Sequence, residues 1–252
     1  MPEVEYHLQS EESSLMHFCA TRSEVLRSPH ARRHLREGFC RRLTILSTNL
    51  LTIYATANPE RNENLSKYEC ADLNVHLNSY YFQLRGALDN LSWILHYEFH
   101  LFEDGDEDDP STRTQCYLFR DSFRSKLRRQ LPKLAKFLDS KASWADEFKE
   151  LRDPVAHRVP LYAVPGVATE PDVEEFNKLH REAADAAQKR DLESYMEKQL
   201  KASMVGSYHA IFVCSTPEGL EPRSIPNQVR EDYAHFLQIA SAVFQVLDRH
   251  GA

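Results

Sequence analysis

One stretch of the chain, Glu150–Arg158 (ELRDPVAHR), combines residue types and spacing that suggest chemistry. Pro154 has no backbone N–H and a fixed φ, so it fits the first turn of a helix better than the interior. Asp153, directly before it, is disfavoured in helical conformation and is a good cap for a helix N-terminus. The sequence therefore predicts a helix that begins here, with Asp153 as its cap and Pro154 as its first residue.

This helix start would bring a guanidinium and an imidazole together. Arg152 would fall just before the cap and His157 in the first turn, and side chains at these two positions pack on each other at a helix start. In a continuous helix they would instead be separated by roughly 140°. Free N–H groups and the positive end of the helix dipole would add an anion site beside them. The sequence thus predicts a phosphate-handling site.

The run Arg152-Asp153-x-x-x-His157 resembles the R-[N/D/H]-x-x-x-H signature of the HEPN superfamily. Members are all-helical domains, and many are metal-independent endoribonucleases that act as dimers in toxin–antitoxin and antiviral systems. The motif follows long amphipathic helices, as in that family, and the family usually places its histidine in a continuing helix. The resemblance covers roughly residues 30–160 and the last helix. It implies that Arg152, His157 and Asp153 are catalytic.

Metal-free RNA cleavage needs a base for the 2′-hydroxyl, an acid for the leaving oxygen and positive charge at the phosphorus. His157 titrates near neutrality, and Arg152 can hold two phosphate oxygens at once. One site offers one histidine, so a homodimer would supply the second. The alternative is that Arg152 bonds to Glu150 or to a carbonyl and that His157 is a packed, hydrogen-bonded residue. The chain would then be a non-catalytic module that binds a nucleotide or a protein.

Three polar residues, Arg85, Asp89 and Asn90, interrupt the apolar pattern of the longest predicted helix. A buried aspartate needs a partner, and Arg85 lies one turn away from Asp89. The pair could be a structural ion pair, or Asp89 could orient His157. We assign these three residues, together with Arg158 beside the motif, as supporting residues of the site.

Apolar residues spaced by three and four positions predict long helices over Pro29–Ala55, Leu65–Phe102 and Val229–Arg249. The second of these carries two apolar rows, which predicts burial on two sides and a homodimer interface through this helix or its neighbours. The first row is Leu73, Leu77, Tyr81, Leu84, Leu88, Leu91 and Leu95, and the second is Phe82, Trp93, Phe99 and Phe102.

Beyond the motif, Leu161–Pro165 and Tyr208–Cys214 are typical of strands, with a charged helix from Thr169 to Ala202 between them. The expected fold is mainly α: a four- to five-helix bundle of HEPN-like kind. We expect a single helical domain over residues 1–252, with a small insertion of two strands and a helix at about 160–225, between the motif and the final helix.

The net charge, the cysteine content and the lack of long apolar runs limit the partners that we expect for this chain. A net charge of −7 argues against a broadly basic nucleic-acid surface, so an RNA contact would be a local patch, such as the basic first half of Pro29–Ala55. Five cysteines without a CxxC pair are typical of a reducing cytosol, and no run approaches a membrane span. We expect a cytoplasmic protein that binds RNA, with no membrane contact, and the resemblance adds an antitoxin or regulatory partner.

Two pairs of histidines have the spacing of metal ligands on a helix. His96 with His100, and His30 with His34, stand four residues apart, as in metal-binding helices. No carboxylate stands at an obvious spacing for a third ligand, and the acidic run Glu103–Pro110 lacks the glycine and the final glutamate of a calcium loop. The sequence therefore favours a protein without a metal or other cofactor.

Overall fold

A computed structural model of the chain describes residues 10, 13–17, 19–21, 23–102, 105–157, 159–216 and 219–251, with His157 described through its backbone alone. The fold is mainly α-helical with one small antiparallel sheet, which confirms the predicted class. The helices, numbered from Pro29, are α1 (Pro29–Arg33), a π-helical segment (His34–Phe39), α2 (Cys40–Thr56), α3 (Lys67–Phe99), α4 (Pro110–Gln115), α5 (Asp121–Gln130), α6 (Pro132–Asp139), α7 (Ala142–His157), α8 (Glu170–Gln188), α9 (Leu192–Ser203) and α10 (Ile225–Gly251).

The chain divides into two compact units. The first comprises Met1–Leu51, Leu77–Pro160 and Gln228–Ala252, and the second comprises Thr52–His76 and Leu161–Asn227. The predicted insertion lies in the second unit, together with a stretch that precedes Leu77. Within the described ranges, no helix is both long enough and apolar enough to span a lipid bilayer.

The core of the first unit is built on α3. Its predicted first row is fully buried from Leu77 to Leu95, which confirms that face of the helix. The second row is confirmed at Trp93, Phe99 and Phe102 but is wrong at Phe82, whose side chain is 53% exposed. Trp93 is buried whereas Phe82 is exposed, because the rings of His34 and Tyr97 stack beside Trp93.

A buried aspartate joins three helices of this unit. Asp232 of α10 is 1% exposed, and it accepts hydrogen bonds from Trp144 Nε1 of α7 at 2.8 Å and from Tyr81 Oη of α3 at 3.0 Å. Gln228 Nε2 donates a third bond at 3.2 Å. Burial raises the pKa of Asp232 to about 6, although the three donors act against this shift. The position of α7 is therefore fixed against both long helices at Trp144, eight residues before Arg152.

The second unit contains the sheet. Strands β1 (Tyr162–Ala163) and β2 (Ile211–Thr216) lie within or overlap the two predicted strand segments and pair antiparallel, and β2 pairs with a third strand, β3 (Gly219–Ser224). The charged segment between β1 and β2 forms two helices rather than one, because the chain turns at Arg190, whose φ is +59°. Helices α8 and α9 pack on each other, with Lys198 Nζ 2.6 Å from Glu182 Oε2.

Candidate active site around Arg152

The motif does not begin a helix. Helix α7 runs without interruption from Ala142 to His157 and contains Pro154, so the predicted start at Asp153 is wrong. The missing N–H of Pro154 would have bonded to the carbonyl of Glu150, and only this one bond is lost, close to the helix end. The buried residues Trp144, Phe148 and Leu151 already hold the preceding turns against the core, so tertiary packing outweighs the local proline signal.

This geometry changes the electrostatics expected at the motif. In one continuous helix, five residues separate Arg152 from His157 by roughly 140°. The free backbone groups at this helix end are carbonyls, and the dipole there is negative. The predicted anion site made of helix N–H groups is therefore absent from the end of α7, and positive charge must come from side chains.

Arg152 has unused hydrogen-bonding capacity. Its side chain is 17% exposed, and its Nη1 lies 3.2 Å from Asp153 Oδ1. Its Nε is buried and has no hydrogen-bond partner among the residues described. His157 closes the helix, but its side chain lies outside the described residues, as does the whole of Arg158. A planar guanidinium with a free N–H can accept a second anionic partner beside Asp153.

The predicted Arg85–Asp89 ion pair is present on α3. Arg85 Nε lies 3.0 Å from Asp89 Oδ2, and Arg85 Nη2 lies 3.0 Å from Asp89 Oδ1, which is a two-pronged contact. The guanidinium carbon of Arg85 also lies 3.4 Å from the centre of the Tyr117 ring. Carboxylate and ring together fix the orientation of Arg85.

The charge of Arg152 also acts on the residues around Arg85. Burial raises the pKa of Asp89, whereas the positive charges of Arg85, Arg152 and Arg42 lower it in part. Burial likewise raises the pKa of Tyr117, and Arg85 and Arg152 again oppose the shift. A carboxylate and a phenol on different segments thus both sense the charge of Arg152. The structure places two of the predicted supporting residues, Arg85 and Asp89, in the electrostatic environment of the motif arginine.

Asn90 belongs to an adjoining hydrogen-bond network that no pattern in the sequence predicts. Arg42 Nε donates to Asn90 Oδ1 at 3.2 Å, and Arg42 Nη1 donates to Gln83 Oε1 at 2.7 Å. Asn90 Nδ2 lies 3.2 Å from His34 Nδ1. These contacts join α2 and the π-helical segment to α3. Asn90 therefore supports the position of Arg42, and its hydrogen bonds among the described residues are with Arg42 and His34 rather than with Arg152.

The histidines considered as metal ligands have structural contacts. His34 packs against the rings of both Trp93 and Tyr97, which also contact each other, and its Nε2 lies 3.1 Å from Glu107 Oε2. His96 Nε2 lies 2.7 Å from the carbonyl of Gly105. In the part of the chain that the structure covers, no three His, Cys, Asp or Glu side chains are grouped as a metal site would require.

Two residues of the cluster, Arg42 and Tyr117, were missed as site residues. Arg42 lies in the basic first half of the predicted helix Pro29–Ala55, and the signal that could have identified it is Gly86, a glycine inside the longest helix. A Cβ at Gly86 would lie 2.3 Å from Arg42 Cζ, so the glycine leaves room for the guanidinium. Tyr117 precedes α5 in an irregular segment and carries no motif.

No protein-family model, no curated protein and no solved structure matches this chain. The resemblance to the HEPN superfamily therefore depends on the Arg152–His157 motif and on the helical class of the fold.

Proposed function

We propose that the chain is a metal-independent endoribonuclease of the HEPN type, with a function in toxin–antitoxin or antiviral defence. The observation that carries this proposal is the buried Nε of Arg152, which has no hydrogen-bond partner among the described residues. The charge of Arg152 acts on Asp89 together with the charges of Arg85 and Arg42. His157 is the last residue of the same helix, so both motif residues belong to α7. A guanidinium that is already oriented and still has a free donor is suited to bind a phosphate group.

The local charge balance favours an anionic substrate. Three arginines, Arg42, Arg85 and Arg152, act on one carboxylate, Asp89, and Asp153 forms an ion pair with Arg152. Three positive charges against two negative ones leave a local excess of one positive charge, in a chain whose net charge is −7. Partial burial strengthens attraction to a phosphate because less water screens it.

The chemistry follows from the two motif residues. His157 would remove the proton of the RNA's own 2′-hydroxyl, whose oxygen then attacks the adjacent phosphorus. Arg152 would stabilise the charge that develops on the phosphoryl oxygens. The P–O5′ bond breaks, the 5′-oxygen receives a proton from an acid, and the other product ends in a cyclic phosphate. A second copy of His157, from a homodimer, would be that acid.

The first unit exposes a small apolar surface on α2 and α3. Ile45 and Leu51 of α2 and Phe82 of α3 are exposed apolar side chains. The bond from Asn49 to Ser79, at 3.0 Å, and the bond from Arg42 to Gln83 hold the two helices together on either side of Ile45 and Phe82. We propose that these apolar side chains form the homodimer interface.

The second candidate function is a non-catalytic module that binds a nucleotide or a protein. Arg152 is mostly buried and is already paired with Asp153, which would be sufficient for a structural role. Arg85 is likewise engaged by Asp89 and by the ring of Tyr117. In this case the cluster would stabilise the contact between α7 and α3, and its substitution would lower stability rather than abolish turnover.

Incubation of the purified protein with total RNA and EDTA tests the two functions. We expect cleavage by the wild type, cyclic phosphate ends, no cleavage of DNA, and loss of cleavage in Arg152→Ala and His157→Ala with unchanged circular dichroism. Arg129→Ala, at an exposed arginine of α5, is the matched control and should cleave normally. Intact RNA with the wild type, or cleavage by His157→Ala, would exclude the enzyme and leave the binding module.

A further inference from the structure

Two adjoining cavities lie at the end of α3, beside the junction of α5 with α6 and the last turns of α10. Their volumes are about 380 Å³ and about 480 Å³, and they share Phe99, Gln130 and His250 as lining residues. Each is in the range of sites that enclose small organic molecules. None of their lining residues belongs to the Arg152 cluster.

The charges that line these cavities are predominantly positive. Lys133 and Arg249 line the first cavity and Arg27 lines the second, and Glu98 is the one acidic residue among the lining side chains of the described chain. The carboxylate of Glu98 is already engaged, since it accepts from the backbone N–H of Ser28 at 2.8 Å and from that of Arg27 at 3.2 Å. The cavities therefore attract an anion.

Arg249 and Arg27 stabilise the C-terminal end of a helix, but Lys133 has no such stabilising effect on its own helix. Arg249 stands in the last turn of α10, where a positive charge is favoured by the helix dipole, and Arg27 Nη2 donates to the carbonyl of His250 at 2.9 Å. Lys133 stands in the first turn of α6, where a positive charge is disfavoured. No described residue forms an ion pair with Lys133. An anionic ligand would compensate this unfavourable placement.

The walls of the cavities suit a planar ring. The rings of Phe99 and His250 have centroids 4.4 Å apart and stand at 41° to each other. Leu131, Leu134 and Val246 add apolar surface to the first cavity. Aromatic side chains stack on bases of any kind, and cations bind phosphate.

We propose that the joint cavity binds a nucleoside monophosphate, with the base against Phe99 and His250 and the phosphate at Lys133 and Arg249. The shared lining residues place the aromatic surface between the two cavities, and both Lys133 and Arg249 line the first cavity. The site is separate from the proposed ribonuclease centre, and its occupancy does not require RNA cleavage.

Isothermal titration of the full chain with adenosine 5′-monophosphate tests this site. We expect saturable binding, whereas adenosine, which lacks the phosphate, and inorganic phosphate, which lacks the ring, should each bind at least about tenfold more weakly. Lys133→Gln should weaken binding of the monophosphate by about tenfold or more without lowering the melting temperature, because a charge unfavourable to α6 is removed. Arg249→Gln should also weaken binding.

The matched control is Lys136→Gln, which makes the same charge change at an exposed lysine of the same helix that lines neither cavity. It should bind the monophosphate as the wild type does. The proposal is overturned by the absence of binding heat with the wild type, by equal affinity for adenosine or for inorganic phosphate, or by equal loss of affinity in Lys136→Gln and Lys133→Gln.

Discussion

The guanidinium of Arg42 lies directly against Gly86, one turn before Asn90 on the same helix. A Cβ at position 86 would lie 2.3 Å from Arg42 Cζ and 2.4 Å from its Nη1, closer than any real contact allows. The glycine is therefore part of the polar network, although it contributes no side chain. It lets one arginine reach both Gln83 and Asn90 across the surface of α3.

A double-mutant cycle measures this relationship. Alanine normally stabilises a helix interior by about 1 kcal/mol relative to glycine. In the wild type, Gly86→Ala would displace Arg42 and break its two hydrogen bonds, so most of that gain should be lost. In the Arg42→Ala background the gain should return, which gives a coupling free energy of about 1–2 kcal/mol by urea unfolding. Additive effects of the two substitutions would mean that Arg42 is not held in this position.

The motif arginine should not be replaceable by lysine. Lysine keeps the positive charge but lacks the planar fork that can hold Asp153 and a phosphate together. We expect Arg152→Lys to lower RNA cleavage by about a hundredfold or more, with an unchanged melting temperature, in a gel assay on a defined oligoribonucleotide. Cleavage near the wild-type rate would show that Arg152 supplies charge alone.

Asp153→Asn should retain cleavage. Asn is one of the residue types that the signature accepts at this position, and the substitution removes the negative charge that lies 3.2 Å from Arg152. Since that charge competes with phosphate for the guanidinium, we expect equal or tighter RNA binding by fluorescence anisotropy, with the rate of cleavage little changed. Loss of cleavage in a folded Asp153→Asn protein would instead give Asp153 a direct catalytic role.

Asp232 should make stability depend on pH in an unusual direction. Its pKa is raised from the ordinary 3.8 to about 6, so between about pH 4 and pH 6 the folded protein retains a proton that the unfolded chain has lost. The contribution of this group to the unfolding free energy should therefore be full below about pH 4. It should fall by about 2–3 kcal/mol as pH rises to 6 and stay at the lower level above it.

Urea unfolding of the wild type and of Asp232→Asn at a series of pH values isolates this group, since all other titrating residues are shared. The difference in unfolding free energy between the two proteins should change across the window from about pH 4 to pH 6. A difference that stays constant with pH would mean that Asp232 is ionised in the folded protein throughout.

The proposed homodimer has a specific test at Phe82. Phe82→Glu would place a charge in the exposed apolar surface of α2 and α3, and we expect the molar mass by light scattering to fall from a dimer value to a monomer value. Leu220→Glu, at another exposed apolar residue, on β3, should leave the mass unchanged. A wild type that is monomeric at micromolar concentration contradicts the interface and also the supply of a second histidine.

Periodicity was sufficient to predict the long helices, because burial of an apolar row dominates their free energy. Leu88 and Leu91 are fully buried, as their spacing required. The helix start predicted at Asp153 was wrong because the free-energy cost of Pro154 is local, whereas Trp144 and Phe148 hold α7 in place through contacts with distant parts of the chain. Strand β3 was not predicted because its exposed residues, such as Glu221 and Pro222, show no alternation. The contact of Arg85 with Tyr117 joins segments more than thirty residues apart, which no local pattern encodes.

The π-helical segment His34–Phe39 determines which way the side chains of the following helix, α2, point. A π-turn carries one residue more than an α-turn, and each residue of an α-helix advances the side chains by about 100°. Without that extra residue, α2 would be rotated by about this angle relative to α1, and Arg42 would point away from α3. One inserted residue thus lets His34 and Arg42 reach the same amide, that of Asn90, from two successive stretches of helix.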